Sequence, residues 1–194
     1  MKFAALTVAA ALAATSVTAE SMKFDLDASH SQIVFAYDHL GYSTTYGMFS
    51  GFEGTIDFNQ EDPASSSVSV SFPVRTMFTG WEARFDHFMS GDFFDAAEDE
   101  MVEFVSTGIE VTGDDTALIT GDLTLNGVTK SVVLDTKLNA VGDHPRANKP
   151  WAGFDATTTI LRSDFNVGNF APFISDEVEV TISIEAGLSD EQSG

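Results

Sequence analysis

His30, His39, His87 and His144 are the chain's four histidines, and imidazole is the side chain most readily turned to acid–base work or metal binding near neutral pH. No two of them stand at i, i+2 or i, i+4, the spacings that put a pair on one face of a strand or helix. There is no cysteine, so thiolate chemistry and thiolate metal sites are excluded, and no preformed set of transition-metal ligands is expected. Asp86 and His87 set an acid beside a base, but neighbours on a helix point in different directions. Arg162 and Asp164 stand out because bases are scarce: nine Lys and Arg against thirty Asp and Glu. An ion pair locking a strand end is the simpler role for them, and contact with a ligand's polar head the alternative. The sequence holds no G-x-S-x-G, H-E-x-x-H, phosphate loop, dinucleotide fingerprint or EF-hand loop. Among thirty carboxylates no pair of acids singles itself out, and no catalytic residue is assigned. The chain reads as a binding protein rather than an enzyme.

The elements that would position a ligand are strands. From Asp27 to Phe58 the period is two, with Ile33, Phe35 and Tyr37 on one face, and the second half sets Gly47, Gly51 and Gly54 among phenylalanines, a pattern of bends in a closing sheet. A third strand follows at Val68 to Val74, and a helix after it. There Thr79 precedes Glu82 at capping-box spacing, and Trp81, Phe85, Phe88 and Met89 recur at helical intervals. A further helical turn is expected over Asp95 to Glu98. Strand signals resume at Met101 and run through Leu118–Leu125, Val132–Leu138, Phe154–Ile160 and Val178–Ile184, with Asn126-Gly127 as a hairpin turn. The sum is an all-β single domain of eight antiparallel strands, with one short amphipathic helix between strands 3 and 4.

A closed sheet of eight strands is either filled by its side chains or just wide enough for one small ligand. The inward positions predicted to line it are Ile33, Phe35, Tyr37, Phe58, Phe72, Phe104, Leu125, Phe154 and Ile160. The stripe Trp81, Phe85, Phe88 and Met89 would close one end, and His39 or Arg162 would meet a polar head near the mouth. Any ligand held in such an interior must be largely apolar.

Residues 1–19, a lone Lys2 followed by an apolar run and Val17-Thr18-Ala19, have the form of a cleavable export signal. The apolar segment of about twelve residues is short of the roughly twenty needed to cross a bilayer. Export predicts a mature single domain over 20–194. Without the signal, eight basic residues face thirty acidic ones, a net charge of −22. That charge opposes nucleic acid and anionic membrane surfaces as partners. It is not the mark of disorder, since 43% of the residues are hydrophobic and seventeen are Phe.

Five patterns carry a family resemblance. They are D-x-x-H-S-x-I-x-F-x-x-x-H from Asp27 to His39, G-x-F-x-x-F-x-G-x-I-x-F from Gly47 to Phe58, D-F-F-D from Asp92 to Asp95, G-x-L-T-L-x-G-V-T-K from Gly121 to Lys130, and G-F-x-A-x-x-x-I-x-R-S-D-F from Gly153 to Phe165. In this order, over Phe24 to about Ala186, they resemble the YceI family of bacterial periplasmic proteins. The resemblance implies a lipocalin-like barrel holding a polyisoprenoid, a quinone tail or a fatty amide, with no cofactor, no established catalytic residue, and a monomer or homodimer. A lipid-modifying enzyme recruiting Asp86, His87 or Arg162 is the first alternative; a ligand-free stress or interaction protein with a packed core is the second. Three positions depart from the family's usual residues: Asn126 replaces His, Glu98-Asp99-Glu100 replaces a common Tyr-Pro, and Asn166 replaces Gly.

Overall fold

Alternating apolar residues can bury one face only if the sheet curls over it, and this chain curls until it closes. The computed structural model describes residues 21–192. Its strands are β1 (Met22–Leu26), β2 (Gln32–His39), β3 (Ser43–Phe49), β4 (Glu53–Phe58), β5 (Ser67–Pro73), β6 (Met101–Val111), β7 (Thr116–Leu125), β8 (Val128–Asp143), β9 (Pro150–Leu161) and β10 (Glu177–Leu188), with helix α1 (Glu82–Met89). All neighbours pair antiparallel. The ring runs β1-β4-β5-β6-β7-β8-β9-β10 and back to β1, a closed barrel of eight strands, with the β2–β3 hairpin attached to β10.

Ten segments arise because two ribbons are broken. Strand β10 pairs near its C-terminus with β1 (Leu26 opposite Ala186) and near its N-terminus with β2 (Gln32 opposite Ser183), so β1 and β2 continue one line. Across the gap the Asp27 amide bonds to the Glu185 carbonyl at 2.8 Å. The Ser31 hydroxyl accepts from the Glu185 amide at 3.3 Å and donates to its carbonyl at 3.4 Å. A side chain thus takes a rung of the backbone ladder, keeping buried amides paired. The second break falls at Ser50–Phe52, where Gly51 adopts φ +75°, a left-handed conformation that favours glycine. Phe52 turns fully inward against Phe72, ring centroids 4.8 Å apart.

Three local expectations need correcting. The helix follows the fifth strand, between β5 and β6, rather than the third, because β1 and the break in the second ribbon add two segments ahead of it. It begins at Glu82 without a side-chain cap; the Thr79 hydroxyl instead bonds to the Trp81 carbonyl at 2.8 Å, so no capping box forms. Asp95–Glu98 is not helical. The hairpin at Asn126-Gly127 does form, with φ of 51° and 68°, the positive pair that a two-residue turn between twisted strands requires. The expected export signal, residues 1–19, lies outside the described residues.

All the strands run between two ends. At the upper end lie the β2–β3 turn, α1 with its flanking turns, the Asn126-Gly127 hairpin and the loop after β9. At the lower end lie loop 59–66, hairpin loop 112–115 and loop 144–149. The larger apolar cluster, with Phe52, Phe72, Val74 and Phe165 among its buried members, packs under α1; a smaller one around Phe24, Phe58 and Ala186 sits by β1 and β4.

Candidate binding cavity

The interior is not filled. A cavity of about 440 Å³ runs the length of the barrel, within the range of small-molecule sites. Its wall is built by the period-two rule: most inward residues of the ribbons are apolar, such as Phe35 on β2, Phe72 on β5, Phe104 on β6 and Ile182 on β10, with Thr136 on β8 and Thr158 on β9 among the polar exceptions. At the upper end Phe93 and Val167 on the wall are buried, so this end is closed. At the lower end the lining reaches the exposed residues Gly113, Asp114 and Asp115, and Val111 is 47% exposed, so this end opens to water.

Of the residues predicted to line it, Ile33, Phe35, Tyr37, Phe58, Phe72, Phe88, Phe104, Leu125, Phe154, Ile160 and Arg162 are on the wall. The other four are not. His39 is exposed at the tip of β2, where it pairs with Ile174. Trp81 is 65% exposed at the helix start, because the helix begins one residue later than its apolar stripe. Phe85 packs on the outer side of the core under the Arg75 guanidinium, 5.7 Å from the ring centre. Met89 is buried in the core behind the wall. The wall also includes residues not predicted for it. Val178, Val180, Ile182 and Ile184 show a clear alternation in the sequence, whereas Val167 and Ile174 come from an irregular loop with no periodic signal.

Arg162 is buried and has a different role from either of those expected. Its Nε donates to the Ser175 carbonyl at 2.8 Å, one terminal nitrogen to Val167 (2.8 Å) and Asn169 (3.2 Å), and the other to Ile174 (3.0 Å). It pins loop 166–176 over the closed end. Burial pushes its pKa down, with Asp176 and Tyr37 opposing. No ion pair with Asp164 forms; Asp164 is exposed, and Asp176 instead receives the Ser163 amide and hydroxyl. Two departures from the family's residues fit here. The Asn126 amide donates to the Phe165 carbonyl at 3.0 Å, and Asn166 holds φ +59°, a conformation asparagine tolerates better than most residues. The third, Glu98, faces solvent and pairs with Arg75 at 3.5 Å, away from the cavity.

No nucleophile and base converge on the cavity among the described residues. His87 turns from Asp86 to Asp92, at 3.0 Å on the outside of the helix. Asp27, His30 and Glu185 do approach one another on the outer surface, a grouping the sequence hides because Glu185 is remote in the chain. Their atoms are already engaged: His30 Nδ1 lies 2.7 Å from Asp27, and Trp151 Nε1 donates to Glu185 at 3.0 Å. The arrangement can hold an apolar molecule.

The YceI-like domain profile matches residues 24–186. The chain belongs to the YceI family. Protein YceI of Escherichia coli O17:K52:H18 is 41% identical over 172 residues, covering 89% of each chain. UPF0312 protein ECA1782 of Pectobacterium atrosepticum is 40% identical over 172 residues, 89% of this chain and 88% of that one. Among solved structures, BcnA of Burkholderia cenocepacia superposes with a TM-score of 0.75 at 25% identity, covering 84% of this chain and 99% of BcnA. A polyisoprenoid binding domain from Saccharophagus degradans shares the fold, with a TM-score of 0.64 at 16% identity over 87% of this chain and 99% of that domain.

Proposed function

We propose that this YceI protein is a periplasmic carrier that sequesters one long apolar amphiphile, a polyisoprenoid, quinone tail or fatty amide, lengthwise in its barrel. The observation that carries the reading is the continuous apolar cavity, closed at one end and open at the other. Each buried methylene contributes about 0.8 kcal/mol, so ten of them supply about 8 kcal/mol, and a longer tail proportionally more, toward the cost of immobilising the ligand without any polar contact. Affinity of that origin is loose about the chemistry of the tail, as suits a carrier. The polyisoprenoid binding domain with the same fold and the export-type leader at residues 1–19 both support the reading. The test is titration of delipidated protein with a polyprenol and with a long-tailed quinone. Either should raise the melting temperature in a saturable one-to-one manner. A melting temperature unmoved by both would remove the basis of the proposal.

A further inference from the structure

The two ends of the cavity differ in charge. Among the described lining residues the charged ones are Arg162 at the closed end and Asp114, Asp115 and Asp155 at the open end. Asp114 and Asp115 form no ion pair among the described residues, and Glu61 and Asp62 stand in the neighbouring loop 59–66, whose Gln60, Pro63 and Ser66 share the mouth. The nearest base in register is Lys137, opposite Thr116 and Asp155; it is not on the wall, whereas its neighbour Thr136 is.

Resting on the carrier reading, the geometry points to a ligand whose head group is neutral or cationic, with Asp114 and Asp115 excluding anionic heads from the mouth. A tail threaded from the open end leaves its head among these carboxylates. A phosphate there meets like charge with no cation on the wall at that end to offset it, whereas an alcohol or quinone oxygen is indifferent and an amine is attracted. The alternative seat for an anion is Arg162. Reaching it head-first means carrying a charge through the apolar interior, a costly transfer, toward a guanidinium that already donates to four carbonyls.

Three probes with one tail separate the possibilities: geranylgeraniol, geranylgeranylamine and geranylgeranyl phosphate, each titrated into the delipidated mature protein at low ionic strength. The alcohol and amine should bind at least about tenfold more tightly than the phosphate, the difference expected when a dianion meets two nearby carboxylates. In about 1 M salt, where the Debye length falls to about 3 Å, the gap should narrow. The double variant Asp114→Lys, Asp115→Lys should reverse the preference, so that phosphate binds more tightly than amine, and Asp114→Asn, Asp115→Asn should flatten it. Both positions are exposed loop residues, so the fold survives either change. Phosphate binding as tightly as alcohol in the native protein, or a ratio that charge reversal leaves unchanged, overturns the inference while the carrier reading stands. If none of the three binds, the carrier reading itself has failed and this inference falls with it.

Discussion

Replacing Arg162 with methionine keeps the length of the stem and removes the pin that holds loop 166–176. Four carbonyls lose a charged donor: those of Ser175, Val167, Asn169 and Ile174. The bond to Val167 is fully buried, and the other three lie at the edge, where water can replace some of them. Counting two bonds as lost outright, at about 1.5 to 3 kcal/mol for a bond to a charged group, the range is about 3 to 6 kcal/mol. Burial already opposes the guanidinium's charge, so the lower end is expected, about 3 kcal/mol. For a domain of this size that corresponds to a fall in melting temperature of about 6 to 12 °C. Arg162→Lys keeps the charge on a compact head that cannot fork toward four carbonyls, and should recover only part of the loss. Urea melts give the magnitude, and hydrogen exchange gives the place. Amides that depend on this loop, Leu40 bonding to Phe173 and Ile174 bonding to Phe170, should exchange faster than the rest of the barrel. A fall below about 2 °C, or unchanged protection at these amides, would refute the assignment of Arg162 as the pin.

A Cβ at Gly47 would lie 2.1 Å from the Phe35 ring, so Gly47→Ala should cost about 1 to 3 kcal/mol by overpacking; a thermal melt matching the native protein would show that the ring can step aside freely. Phe35→Glu places an unpaired carboxylate on the apolar wall and should abolish uptake of polyprenol or quinone, while Glu179→Lys on the outer face should not; circular dichroism checks that both barrels remain folded. The Asp27–His30 pair is active within a pH window. The hydrogen bond to Asp27 raises the pKa of His30 above 6.5, so its contribution is fully present below that value and is lost as pH rises through the folded pKa. Burial would raise the Asp27 pKa, but hydrogen bonds from Ser29 and His30 outweigh it and hold it below 3.8, so its contribution is present above that value and is lost as pH falls through the folded pKa. NMR titration of His30 should therefore give a midpoint above 6.5 that returns toward 6.5 in Asp27→Asn. Elemental analysis of dialysed protein should find no stoichiometric zinc, copper or iron, since the one grouping of suitable atoms among the described residues, at Asp27, His30 and Glu185, is exposed in part and already hydrogen-bonded.

What could be read in the sequence was whatever rests on periodicity. Alternation at Ile33–Tyr37, Phe72 and Phe154–Ile160 placed those residues on the inner face, and Asn126-Gly127 fixed a turn, because strand parity and turn chemistry are local. The breaks in the first two ribbons were not legible. The pairing of Ser31 with Glu185 joins residues far apart in the chain, and nothing near Ser31 announces that a hydroxyl will fill a backbone rung. The helix shows a different limit. Its apolar spacing marked Trp81, Phe85, Phe88 and Met89 as one stripe, yet with the first turn beginning at Glu82 only Phe88 reaches the cavity. Trp81 therefore points to solvent and is a poor fluorescence reporter of ligand. Arg162 was conspicuous for its charge, but its partners are backbone carbonyls of an irregular loop, which carry no residue-specific signature. The asymmetry of the cavity needed the topology, since the 112–115 loop reaches the mouth only once the ring has closed.

The measurement closest to the central claim is mass spectrometry of gently purified native protein, flown intact and then as its organic extract. A mass excess that dissociates as one apolar amphiphile per barrel, and is absent from Phe35→Glu, is the predicted result. Native protein with no adduct and an extract free of long-chain lipid would contradict the account.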